Sequence, residues 1–176
     1  IILKNIGEGY MKVTAKQRNS KMCVICGLDN SAGVRAPFYT MEDGSVASLF
    51  SYREEHQSYP GRVHGGMITA MLDEMGLRAL WAKEGGEKTY GVTTSLETKY
   101  RKPVPYGVPL IGRGVIVKES GHFLTAECTI SDRSGAVLAS AVIKYLKLDV
   151  SKIGAGISER EEMCYLIEDG VTEIAL

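Results

Sequence analysis

No stretch of this sequence stays apolar for the roughly 18 residues that a membrane-spanning helix needs, so no segment is expected to cross a bilayer. Neither sign of charge is in excess, because 21 basic residues balance 21 acidic ones. Without a basic stripe the chain offers nothing to nucleic acid, and without an acidic tail it gives no sign of disorder. No secretory signal pattern is visible, and no internal repeat is found. Cysteine is sparse. Cys23 and Cys26 form a C-x-x-C, whereas Cys128 and Cys164 stand alone. A zinc site would need a second pair or histidines at ligand spacing. His56 and His64 lie on one loop and match such spacing poorly. The expectation is two thiols in a loop, no metal, no catalytic thiol, and a reducing, cytoplasmic compartment.

What is present is a chain of 176 residues, long enough for one domain with a real core. Residues 1 to about 21 are polar with scattered apolar positions (Ile6, Tyr10, Met11, Val13) and read as a short helix. Strands are expected over Ala36 to Met41 and Val46 to Tyr52, joined by the hairpin signal Asp43-Gly44. Tyr90 to Tyr100 alternates like a strand before Lys102-Pro103-Val104-Pro105 breaks it. Leu110 to Lys118, Phe123 to Ser131 and Val137 to Leu148 read as a meander, turning at Gly121 and Gly135. Glu159 to Ile167 reads as a helix that carries no chemistry.

Between the early and late strands runs the most informative segment, from His56 to Asp73. Its loop leads into His64-Gly65-Gly66, and a proline-free helical pattern follows from Gly66 to Lys83. Glycines that open a helix leave bare N–H groups for an oxygen or anion to approach. At about 100° per residue, Ile68, Leu72, Met75 and Ala79 share one side, and Glu74 and Arg78 pair at i,i+4 on the other, in water. Asp73 joins neither group. It falls at the edge of the apolar arc, between Leu77 and Leu80. A carboxylate there is costly unless it is hydrogen-bonded or faces a cleft, so Asp73 is either a buried acid that caps a loop or bonds a hydroxyl, or a functional acid; the His-Gly-Gly loop immediately upstream favours the second, and Glu74 reads as a solvated partner. One helix cannot cover both faces of a sheet of about six strands. An α+β fold with an antiparallel sheet wrapped around a single buried helix follows, and its open edges invite self-association.

These residues resemble the hotdog-fold acyl-CoA thioesterases of the phenylacetate-pathway type and their thioesterase-superfamily relatives. The resemblance rests on His64-Gly65-Gly66 with an acid, Asp73, nine residues after the histidine, and on the strand Val92 to Tyr100 with Arg101-Lys102-Pro103 behind it. It covers residues 23–148, leaving extensions at 1–22 and 149–176. Cys26-Gly27 with Asn30 and Gly33 echoes a structural turn of the same group. The resemblance implies that Asp73 attacks the thioester or activates water. It also implies that the Gly65 N–H polarises the carbonyl, that His64 shapes the turn, and that Thr93 helps place water. Ser58 stands where several relatives carry asparagine. The site is implied to lie between two subunits, Asp73 of one facing Gly65 of the other, in a dimer or tetramer.

The chemistry is consistent with the residues themselves. A thioester carbonyl gains negative charge as it becomes tetrahedral, and the Gly65 and Gly66 amides at the helix's positive end suit that charge. Asp73 would serve as base or nucleophile. No serine sits in a Gly-x-Ser-x-Gly elbow, which argues against an α/β-hydrolase route. Arg62, Arg101 and Lys102 are the candidate cations for coenzyme A phosphates, and coenzyme A here is part of the substrate, so no separate cofactor is expected. Two other classes remain: a hydratase or dehydratase using His56 or His64 with Asp73, and a non-catalytic acyl-CoA-binding module.

Overall fold

The computed structural model describes residues 9–86, 89–148 and 163–176. Its strands in chain order are β1 (Tyr10–Gln17), β2 (Asn19–Ser20), β3 (Phe38–Met41), β4 (Val46–Phe50), β5 (Gln57–Tyr59) and β6 (Arg62–Val63). The long helix α1 (Gly65–Glu84) follows. Then come β7 (Tyr90–Tyr100), β8 (Leu110–Ser120), β9 (Phe123–Ser131), β10 (Val137–Leu148), β11 (Met163–Tyr165) and β12 (Glu173–Ala175). Eight strands make one sheet in the order β12-β1-β3-β4-β8-β9-β10-β7, with antiparallel neighbours throughout. This sheet curls around α1, which is the hotdog arrangement that the resemblance implies.

Local chemistry sets the boundaries. Asp43-Gly44 turns β3 into β4, with Gly44 in the left-handed region at φ 77° and the Ser45 N–H bonded to the Asp43 carboxylate. The helix opens at His64, whose Nδ1 accepts the Gly66 N–H at 2.9 Å. It closes at Gly85, a left-handed C-cap at φ 69° whose N–H reaches the Trp81 carbonyl.

The helix lies close to the sheet because the sheet is thinned beneath it. On β8, a Cβ at Gly114 would sit 2.8 Å from the Met75 carbonyl oxygen, and one at Gly112 would meet the Met75 sulfur at 3.1 Å. On β9 and β10, Ala126, Cys128, Ala139 and Ala141 continue this run of small buried residues. Ile68, Leu72, Met75 and Ala79 are buried as the helical period requires. Burying Ile68, Leu72 and Met75 contributes about 1.5–3 kcal/mol each.

Three expectations are corrected. Residues 10–17 form a strand, not a short helix; Met11 and Val13 sit at strand spacing, pack into the small second core and pair with β3 and β12. Ile6 lies outside the described residues. Residues 159–162 of the expected C-terminal helix also lie outside them, and 163–165 form a strand paired with β2. The Glu74–Arg78 pair forms, with Nε–Oε1 at 2.8 Å, but not in water: Arg78 is 0% exposed. The segment around Ile25, Cys26, Val34 and Phe38 covers that side of the helix, so both sides are buried. The guanidinium lies 4.6 Å from the ring centres of both Phe38 and Trp81 and donates to the Arg18 carbonyl at 2.6 Å.

Candidate active site

Asp73 sits on α1 facing the last two strands of the sheet, half-buried. Two hydroxyls hold its carboxylate. Thr93 Oγ1 donates to Oδ1 at 2.8 Å. The Tyr145 hydroxyl donates to the Asp73 carbonyl at 2.6 Å and lies 3.2 Å from Oδ1. Both placements follow from backbone details. Along β10 and β7 the pairing runs Leu96 with Ile143 and Ser95 with Lys144, then skips Thr94 and resumes with Thr93 opposite Tyr145. This bulge puts Thr93, instead of Thr94, on the side that faces the helix. Tyr145 fits against α1 because position 76 is glycine: a Cβ there would fall 2.2 Å from the tyrosine oxygen.

Burial raises the Asp73 pKa above the usual carboxylate range, the bonds from Thr93 and Tyr145 oppose that rise, and the neighbouring Glu74 charge adds to it. The acid therefore has an exposed hydroxyl beside it, a raised affinity for protons, and no cation in direct contact among the described residues.

A second constellation lies at the helix N-terminus. A groove of about 570 Å³ is lined by Ser58, Arg62, Gly65, Gly66, Arg101 and Lys102, together with Tyr59, Val63, Ile68, Tyr100, Pro103 and Val104. Six sequence-predicted positions thus meet in one place. Arg62, Arg101 and Lys102 are exposed at its rim. The Gly65 amide has no protein acceptor among the described residues. The Gly66 amide does, because His64 Nδ1 takes it, so the expectation of two free amides is corrected to one. A relay of hydroxyls fixes this end of the helix: the Tyr100 hydroxyl donates to the Gly65 carbonyl at 3.0 Å, and Thr69 Oγ1 lies 2.7 Å from Tyr100 and 3.2 Å from Thr98.

Asp73 and Thr93 do not line the groove. Asp73 follows Gly65 by eight residues, about 12 Å along the helix at about 1.5 Å per residue. Within one chain, therefore, the acid and the amide lie too far apart to act on the same carbonyl.

His56 and His64 are each engaged by backbone groups of the same chain. His56 is buried, and its Nδ1 accepts the Arg53 N–H at 3.0 Å, so Nε2 carries the proton and donates to the Ala32 carbonyl at 2.9 Å. His64 caps the helix. Neither contacts Asp73 among the described residues, which removes the geometric basis for a His–Asp hydratase pair within one protomer. Tyr145 and Tyr100 are the residues that sequence reading did not assign. Tyr100 carries a signal, the Tyr-x-x-Pro spacing to Pro103; Tyr145 carries none, because its partner is set by the register of β10 against the helix. The remaining cluster of potential ligands among the described residues is Cys23, Cys26 and Glu74, whose donor atoms lie within 4.8 Å of one another.

Residues 60–139 match the family model of the thioesterase superfamily. The mouse (Mus musculus) acyl-coenzyme A thioesterase THEM4 is 31% identical over 119 residues, which cover 66% of this chain and 49% of that protein. The chain thus spans about half the length of the curated relative it matches. A crystal structure of a thioesterase superfamily protein is 28% identical with a TM-score of 0.64, covering 72% of this chain and 60% of the other. A Streptococcus pneumoniae hypothetical thioesterase, solved with coenzyme A, shares the fold at a TM-score of 0.57 and 19% identity, over 64% of this chain and 87% of that one. By sequence, residues 60–139 are similar to the thioesterase superfamily, and the antiparallel sheet around one helix is the hotdog fold of these relatives.

Proposed function

We propose that this chain is a thioester hydrolase that converts an acyl- or aryl-CoA to the free acid and coenzyme A. The observation that carries the reading is the pairing of two half-sites on one helix. Asp73 is a half-buried carboxylate steadied by Thr93 and Tyr145, and the Gly65 amide, without a protein acceptor among the described residues, opens a cation-rimmed groove. Each lacks what the other supplies. In a symmetric dimer, Asp73 of one protomer completes the Gly65 groove of the other, and each pair of protomers holds two sites. The exposed edge strand β7, which carries Thr93 and ends at Tyr100, supports that assembly. A tetramer is a pair of such dimers.

In this reading the thioester carbonyl oxygen rests on the Gly65 N–H at the positive end of α1, and tetrahedral charge gathers there. His64 holds the turn by taking the Gly66 amide. Asp73, whose charged form the Thr93 and Tyr145 hydroxyls favour, attacks the carbonyl carbon directly or removes a proton from a water that Thr93 helps to place. Ser58 offers a further hydroxyl at the groove, and Arg62, Arg101 and Lys102 pair with the phosphates of coenzyme A. The apolar lining from Val63, Ile68 and Val104 suits an apolar acyl or aryl group. No cofactor or metal is needed, because the substrate supplies the coenzyme A. Four free cysteines fit a reducing, cytoplasmic setting.

The test is release of free thiol from a panel of acyl-CoAs by the purified protein. Thiol release above the uncatalysed rate, with equimolar free acid, supports the hydrolase. Addition or loss of water across the acyl chain without thiol release points to a hydratase, and saturable binding without turnover points to a binding module; either result rejects the proposal.

A further inference from the structure

On the face of α1 away from the Asp73 carboxylate, a turn presses a C-x-x-C against the helix. The Gly27 N–H bonds back to the Cys23 carbonyl at 2.9 Å, closing one helical turn with Cys23 at its start. Gly27 is required there, since a Cβ would meet the Cys23 carbonyl oxygen at 2.5 Å. In this turn the Ile25 and Cys26 amides both point at Cys23 Sγ, each at 3.3 Å. Two amides converging on one sulfur stabilise its thiolate, against burial and the Glu74 carboxylate, whose Oε2 lies 3.9 Å from the same sulfur. The sulfurs of Cys23 and Cys26 lie within 4.8 Å of each other. Cys23 is partly exposed between the exposed Met22 and Val24, while Cys26 is buried and held by Ser20 Oγ at 3.3 Å. The two thiols are unequal: the pKa of Cys23 is lowered to about 7, chiefly by the hydrogen bond from the Cys26 thiol, and that of Cys26 is pushed far up by the same contact and by burial.

We propose that Cys23 and Cys26 form a reactive dithiol, Cys23 the attacking sulfur and Cys26 the resolving one, that exchanges with low-molecular-weight disulfides. The Cys23 thiolate, its proton lost to solvent, attacks one sulfur of the small disulfide. The S–S bond breaks and one small thiolate leaves, so Cys23 now carries a mixed disulfide. That step removes the negative sulfur that chiefly held the Cys26 proton in place. Cys26 then gives up its proton and attacks the Cys23 sulfur, expelling the second small thiolate. The two protein thiols lose two electrons and two protons, the small disulfide gains both, and a Cys23–Cys26 disulfide remains.

The geometry fits this chemistry better than a resident metal. Glu74, the third potential ligand, already gives Oε1 to the buried Arg78 guanidinium at 2.8 Å. A second cation would have to sit beside that charge.

The experiment treats the reduced chain with oxidised glutathione at pH 7, quenches with acid, denatures, alkylates and maps the peptides by mass. The expected wild-type product is an unalkylated peptide containing both Cys23 and Cys26, lighter by two hydrogens, with Cys128 and Cys164 alkylated. In Cys26→Ser, glutathione should remain attached at Cys23. In Cys23→Ser, Cys26 should stay reduced under the same conditions. The proposal is overturned if wild type stays fully reduced, if Cys26→Ser accumulates no adduct at Cys23 while Cys164 does, or if the pair in freshly purified protein holds stoichiometric zinc that blocks the exchange. Near-native circular dichroism of each variant excludes misfolding as the source of any difference.

Discussion

The Tyr145 hydroxyl reaches across from β10 to Asp73 on α1, bonding the backbone carbonyl at 2.6 Å and lying 3.2 Å from the carboxylate, in space left open by Gly76. Thr93 donates to the same oxygen from β7. Both hydroxyls favour the ionised acid, whereas burial opposes it. If Asp73 is the base or nucleophile, activity is lost as pH falls through its pKa, so the acid limb of kcat/KM should stand above the ordinary carboxylate value of 3.8. Removing a donor destabilises the charged form and raises the pKa further. Tyr145→Phe and Thr93→Val should therefore each move the acid limb to higher pH. A pH–rate profile identical to wild type in both variants would remove Asp73 from the titrating step.

Asp73→Asn should lower turnover by a factor of about 100 or more, because it removes the base or nucleophile and keeps the shape. Stability should not fall at neutral pH. The native state binds the Asp73 proton more tightly than the unfolded chain does, so an ionised Asp73 costs stability above its raised pKa, and an amide lifts that cost. Thermal melting together with thiol-release kinetics checks both halves; near-normal turnover would make Asp73 structural.

Gly65→Pro tests the amide by deleting it. Gly65 is the first helical residue, where proline is tolerated, and His64 before it is already extended at φ −63°, ψ 134°. The fold should survive while kcat falls by about 100- to 1,000-fold, the cost of losing one oxyanion donor. The protein should sediment as a dimer or tetramer. Unfolding and refolding an equal mixture of Gly65→Pro and Asp73→Asn subunits should restore about a quarter of wild-type activity, since half the assemblies are mixed and each mixed dimer holds one intact site. No recovery, or a fully active monomer, would reject the shared site.

Glu74→Gln should cost stability and leave the chemistry in place. Arg78 is buried, so neutralising Glu74 removes the carboxylate paired with its Nε; breaking such a pair costs about 3 kcal/mol. Chemical denaturation gives the number. A loss below about 0.5 kcal/mol, the scale of exposed pairs, would mean that the pair is solvated after all.

Replacing Cys23 and Cys26 together by serine should leave thioester hydrolysis intact, because neither sulfur faces the groove or Asp73. Some stability should be lost, since Cys26 is 2% exposed and packs in the core. Metal analysis of the wild type, with assays before and after chelation, completes the test; activity lost with either treatment would assign the thiols or a metal to the reaction.

The sequence by itself determined the elements that depend on local chemistry and period. The strands 90–100, 123–131 and 137–148 follow from alternation, and the helix, expected from Gly66 to Lys83 and found from Gly65 to Glu84, from its apolar period and its glycine entry. Asp73 stood out because a carboxylate at the edge of an apolar arc is costly wherever the helix packs. Tertiary structure decided whatever depends on what covers a surface. Arg78 looked solvated because the segment 23–38 that buries it is distant in sequence. Met11 and Val13 showed too short an alternation to outweigh their polar neighbours, and only pairing with β3 and β12 makes them a strand. The bulge that turns Thr93 toward Asp73, and the glycine gap that admits Tyr145, arise from how β7 and β10 pair and pack on α1. A sequence carries no local trace of such a register, because a shift of one residue leaves composition and period unchanged and reverses which side chains face the helix.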